Sequence, residues 1–157
     1  MGDHRPKIWL SDGYSAQQKH GYHHQTCLAH LARDVAYGVE NSAEYLPFHL
    51  KLWMDRVFVL AREVATYAAS TIKRKKHELQ RNLAELVRMP CACPIAEELR
   101  GKMARASPKL LTFLDFPGEV DVTKAFHLKL ESPFTASNQR FERERRCFLA
   151  QVKGETL

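Results

Sequence analysis

Near the start of the chain, Ile8, Trp9, Leu10 and Ser11 run directly into Asp12 and Gly13. A carboxylate at the carboxyl end of a buried strand stands where α/β folds place ligands and metals. Two or three such acids can hold two Mg²⁺ ions, which activate a water and stabilise the leaving oxygen when a phosphodiester is cut. The plainer reading of Ser-Asp-Gly is a turn that the aspartate caps. Further on, Cys27 and His30 stand in a C-x-x-H spacing from which both could reach one metal ion. A structural zinc takes about four ligands. His20, His23, His24, Cys91 and Cys93 are the other donors, at spacings that fit no zinc module. The plainer reading here is a small buried thiol and a hydrogen-bonded histidine that fix the start of a helix.

A third set of residues is basic. Lys73, Arg74, Lys75, Lys76 and Arg81, with Arg62, Arg88, Lys102, Arg105 and Lys109 around them, could contact phosphates. Such contacts ask only for charge and reach, so DNA is a natural partner but not a specific deduction. The formal net charge of +6 and the pI near 9.3 point the same way. No P-loop, dinucleotide glycine motif or ribonucleoprotein aromatic motif is present.

The elements that must carry these residues follow from periodicity and punctuation. Residues 7–10 read as a strand, with a short helix over 16–20 capped by Ser15, and residues 24–27 as a second strand. Leu28, Leu31, Ala32, Val35 and Ala36 recur at helical spacing, and Gly38 reads as a stop. A long helical run opens at Pro47 and continues to Leu86, and its charged stretch 73–78 reads as an exposed helix or a hairpin corner. Pro90 and Pro94 break it, and Pro94 starts a helix to about Ala106. Ser107 and Pro108 read as the cap and first position of another helix, which Pro117-Gly118 ends. After Thr123 no core-forming face is visible.

With 157 residues, one domain with a real core is the expectation. No apolar run approaches the ~20 residues of a membrane span, and the first seven residues carry no apolar signal region, so the expected location is cytoplasmic. Cys91 and Cys93 are two residues apart, too close for an ordinary disulfide loop, and the four cysteines, Cys27, Cys91, Cys93 and Cys147, then read as thiols.

Four segments taken together resemble one family. "IWLSDGYSAQQ", "HHQTCLAHLARDVAYGVE", "LKLWMDRVFVLARE" and "LLTFLDFPGEVDVT" are similar, in order and spacing, to the catalytic region of insertion-sequence-66-type bacterial transposases, over about residues 7–123. The resemblance implies an α/β, partly ribonuclease-H-like fold that is mostly helical. It would carry a long helical insertion at about 42–106 and an irregular tail at 124–157. It also implies an Asp-Asp-Glu triad using two Mg²⁺ ions to cleave DNA and transfer strands. Asp12 matches the second aspartate, hence a catalytic and metal-binding role. Cys27 and His30 match a motif beside the catalytic strand with a structural role, and Arg33 and Asp34 match positions on the following helix.

The other two acids have no counterpart. Eleven residues precede Asp12, and Asp3 among them has no strand pattern around it. The family's Asn-Asn-x-x-Glu-Arg segment should follow Thr123, but Leu128 and Lys129 stand where its glutamate and arginine belong; Glu131 has non-matching neighbours. The expectation is therefore a truncated transposase, inactive alone. Its partners would be DNA and, through uncovered strand edges, intact transposase or a second copy of itself. The rival expectation is a non-enzymatic basic helical module.

Overall fold

The computed structural model describes residues 6–11, 21–120 and 122. The chain divides into two compact units, Met1–Ala125 and Phe126–Leu157, and every described residue belongs to the first. The expected helix over 16–20 and the expected irregular tail lie outside the described residues.

Most described residues are helical, and the sheet is small. Strand β1 is Ile8–Ser11 and β2 is His23–Thr26. Among the described residues four α-helices follow: α1 Leu28–Asn41, α2 Tyr45–Glu63, α3 Ala69–Leu86 and α4 Pro94–Ala106. Short 3-10 turns lie at Val64–Thr66, Ser107–Lys109 and Thr112–Asp115. The strands pair in parallel, with Ile8 opposite His23 and Ser11 opposite Thr26. Their carboxyl ends therefore lie side by side, and α1 starts directly beyond them.

The helices cohere through one apolar interior. Leu28, Leu31, Val35 and Val39 repeat at helical spacing and bury one stripe of α1. From α2 come Leu50, Trp53, Met54, Val57 and Phe58, from α3 Leu79 and Leu83, and from α4 Ala96, Leu99 and Met103. Helix α1 packs on α2 and α4, and α2 packs on α3. Gly38 is not the helix stop that its residue type predicts. It lies inside α1, where a methyl group would come 3.0 Å from a Leu99 methyl and 3.2 Å from Pro47 Cβ. The missing side chain lets α1 close on both neighbours at once.

The long run predicted from Pro47 to Leu86 is two helices. The chain leaves the α-helix at Val64, makes one 3-10 turn and passes through extended Tyr67 and Ala68 before α3 begins. Glu63 holds the corner: its carbonyl accepts a bond from Thr66 Oγ1 at 2.7 Å and its carboxylate one from the Tyr67 hydroxyl at 2.6 Å. Helix α3 then folds back along α2. The Trp53 indole donates to the Leu79 carbonyl at 2.9 Å, and Arg56 pairs with Glu78.

Pro117-Gly118 ends its segment as expected. Gly118 has φ +82°, and the Glu119 amide closes on the Phe116 carbonyl at 3.1 Å, which is the pattern of a type II turn. That turn brings Glu119 to Lys7, whose ammonium lies 2.9 Å from the Glu119 carboxylate and 4.8 Å from the centre of the Phe116 ring.

Candidate functional site

Of the residues singled out by chemistry, Cys27 stands at the carboxyl end of the strand pair. Asp12 itself lies outside the described residues; its chain neighbour Ser11 is the last residue of β1. The Ser11 carbonyl accepts the Cys27 amide at 2.7 Å, so the residue before α1 is pinned to the end of β1. Ser11 is buried, and its hydroxyl is hydrogen-bonded to His24 Nε2 at 2.8 Å. Cys27 is half-buried with extended backbone at the N-cap of α1, and its thiol makes no capping hydrogen bond. His30 and Arg33 are exposed. The expected pair of a buried thiol and a helix-fixing histidine is thus not what holds this helix start; the Cys27 amide does that.

Asp34 faces α4, where its carboxylate lies 3.4 Å from the Lys102 ammonium, which also meets Glu98 at 3.1 Å. Those contacts, the hydrogen bond Lys102 donates to Glu98 first and the Asp34 charge after it, hold the Lys102 ammonium above its ordinary range. Asp34 therefore joins helices. No three His, Cys, Asp or Glu side chains among the described residues come together as a metal site, and the zinc reading finds no cluster there.

Gln25, which no sequence pattern singled out, organises this end of the molecule. It is fully buried on β2. Its Nε2 donates to the Thr26 carbonyl at 2.8 Å and to the Leu110 carbonyl at 2.9 Å, while its Oε1 accepts the Phe113 amide at 2.9 Å. Thr112 Oγ1 donates to the His24 carbonyl at 2.8 Å. A continuous α-helix would use the Leu110 carbonyl for Leu114. Here Leu114 turns instead to the Leu111 carbonyl, at 3.2 Å, and the segment becomes two 3-10 turns. This is why the helix predicted after Ser107-Pro108 does not form. The signal that could have revealed it is a glutamine at an inward position of a strand, since a buried amide must find partners.

The basic residues do not act as one block. Lys76 is drawn into an ion pair with Asp115 at 2.5 Å, and the Lys75 ammonium lies 5.0 Å from the centre of the Tyr67 ring. Lys73, Arg74 and Arg81 are exposed. Arg74, His77 and Arg81 follow one another at three- and four-residue intervals, an outward stripe of α3 opposite buried Ile72, Leu79 and Leu83, and exposed Arg88 lies in the turn just past the helix end. Glu85 interrupts that stripe. Arg62, at the end of α2, and Arg105, in the last turn of α4, are also exposed.

Comparison with protein-family models, with curated proteins and with solved structures finds no match to this chain. Among the described residues no helix is long and apolar enough to cross a membrane.

Proposed function

We propose that this chain is a piece of the catalytic region of an insertion-sequence-66-type DNA transposase, related to ribonuclease-H-like enzymes and unable to cut DNA by itself. The observation that supports this reading is the parallel β1–β2 pair whose carboxyl ends meet at Ser11 and Cys27. Asp12 follows Ser11 in the chain, so the one matching acid of the triad comes directly after the strand end that α/β folds use for metals. The residues do not fit the two Mg²⁺ ions of the family reaction. One matching acid is available where three are needed, and Mg²⁺, which keeps several of its waters, is held poorly by a lone carboxylate. Losing members of a catalytic unit collapses the rate non-additively, so no cleavage step is assigned to this chain.

The test is a nicking assay on supercoiled plasmid with Mg²⁺ or Mn²⁺. No nicking above background is expected. Metal-dependent nicking that disappears in Asp12→Ala would overturn the inactive reading.

The outward stripe of α3 favours a second reading, a non-enzymatic module that binds DNA or engages intact transposase. Arg74, Arg81 and Arg88 present charge without a buried role. Gel shifts across salt concentrations should give a log–log slope of about −2 to −3, and each arginine replaced by alanine should reduce that slope by about 1. A slope near zero removes DNA from the partners.

A further inference from the structure

The connection between α3 and α4 carries two cysteines that neither reading of function uses. Cys91 and Cys93 are both half-exposed thiols, separated only by Ala92. The connection is held in place by Glu44, the residue before α2. One carboxylate oxygen of Glu44 accepts the amides of both Ala92 and Cys93 at 2.8 Å. Glu44 is held in turn, because its own amide donates to the Ser42 hydroxyl at 3.1 Å. Two thiols thus stand on a short stretch of backbone fixed from another helix.

Their surroundings differ. Cys93 is the N-cap residue of α4, with extended backbone at φ −77° and ψ 129°. No hydrogen bond of capping geometry reaches its sulfur. The amides of Ala96 and then Ile95, with the Ser42 hydroxyl, nevertheless favour negative charge there and, against burial and the Glu44 charge, draw the thiol below its ordinary range. Cys91 turns its thiol to the Met89 carbonyl at 3.7 Å. Burial first, and the Glu44 charge second, push that thiol upward. A nucleophile and a proton-bearing neighbour two residues away are the parts that thiol–disulfide exchange needs.

We propose that Cys91 and Cys93 form a thiol–disulfide exchange site for low-molecular-weight disulfides, with Cys93 as attacking and Cys91 as resolving thiol. In the first step the Cys93 thiolate attacks one sulfur of the small disulfide. That S–S bond breaks, a bond forms to Cys93, and the other half leaves as a thiolate that takes up a proton. In the second step Cys91 gives up its proton to solvent and attacks the Cys93 sulfur. The second small thiolate leaves, and a Cys91–Cys93 bond remains. The small disulfide is reduced to two thiols and the protein dithiol is oxidised. Residues two apart span at most about 7 Å between Cα atoms, the upper edge of disulfide geometry, so the ring closes only with a local backbone rotation that releases the Glu44 hold on the Ala92 and Cys93 amides.

The test uses the full chain. Iodoacetamide alkylation followed residue by residue in a mass spectrometer should label Cys93 about tenfold faster than Cys91 or Cys27 at neutral pH. Ser42→Ala should move the Cys93 rate profile to higher pH. With hydroxyethyl disulfide, the wild-type chain should release two thiols at this site and yield a linked Cys91–Cys93 peptide, whereas Cys91→Ser should stop at a mixed disulfide on Cys93. Cys93→Ser keeps a favoured capping residue and should form no mixed disulfide at this site. Equal alkylation of the three thiols, first attack at Cys91 or Cys27, or a wild-type chain that retains the mixed disulfide as fully as Cys91→Ser would each overturn the proposal.

Discussion

The helical body and the strand end of this molecule are held by different forces. In the body, α1 to α4 share an interior of Leu, Val, Met, Phe and Trp side chains, and the polar bonds among the helices lie mostly at their rims. At the strand end, two strands of four residues offer little apolar area, and a buried polar fastening takes over: Gln25 and Thr112 stitch β2 to residues 110–113. Parallel strands normally lie inside larger covered sheets, and among the described residues no third strand joins β1 and β2. The difference teaches that one half of the fold tolerates crude changes of shape but not of volume, whereas the other depends on a few donors and acceptors in register.

Three substitutions would break or sharpen that contrast. Phe58→Ala empties the middle of the helical body and should cost about 3–5 kcal/mol, read as a loss of global stability in urea unfolding. Gln25→Ala strands the Leu110 carbonyl and the Phe113 amide in the interior, at about 2–4 kcal/mol. Hydrogen exchange should show that loss concentrated in β1, β2 and residues 107–115, with α2 and α3 still protected. Protection lost equally everywhere would mean that the two regions fold as one unit. Gly38→Ala is the smallest expected effect. Its gain of about 1 kcal/mol in helix propensity is opposed by the close Leu99 and Pro47 contacts, leaving the chain about 1 kcal/mol less stable by thermal melting. A stabilised variant would show that α1 can shift outward freely.

Much of the helical body was legible in the residues. The Leu28, Leu31, Val35 stripe named α1, and Pro94 after a double break named the start of α4. The strands were found one residue out of place: 7–10 was expected where Ile8–Ser11 is observed, and 24–27 where His23–Thr26 is observed. Three features were not readable locally. The α2–α3 corner contains neither Gly nor Pro, and is made by Glu63 bonds that exist only once the chain has turned. The helix expected after Pro108 yields to Gln25, 85 residues away in sequence from Leu110. Gly38 looked like a terminus because its residue type cannot reveal that two neighbours need its space. At the candidate site, the pattern placed Cys27 at the end of the second strand, just before the α1 periodicity, but the partners of Asp34 and Lys76 depend on α4 and on residues 112–115. Long-range pairings of this kind leave no mark on a local window.

The placement of the two tryptophans, one in each region, has a practical consequence. Trp9 lies on β1, while the indole of Trp53 is fixed between α2 and α3. Exciting single-tryptophan forms, Trp53→Phe for the sheet and Trp9→Phe for the helices, would give two independent optical reporters in one polypeptide. Loosening of the strand pair could then be timed against melting of the bundle without attaching any dye.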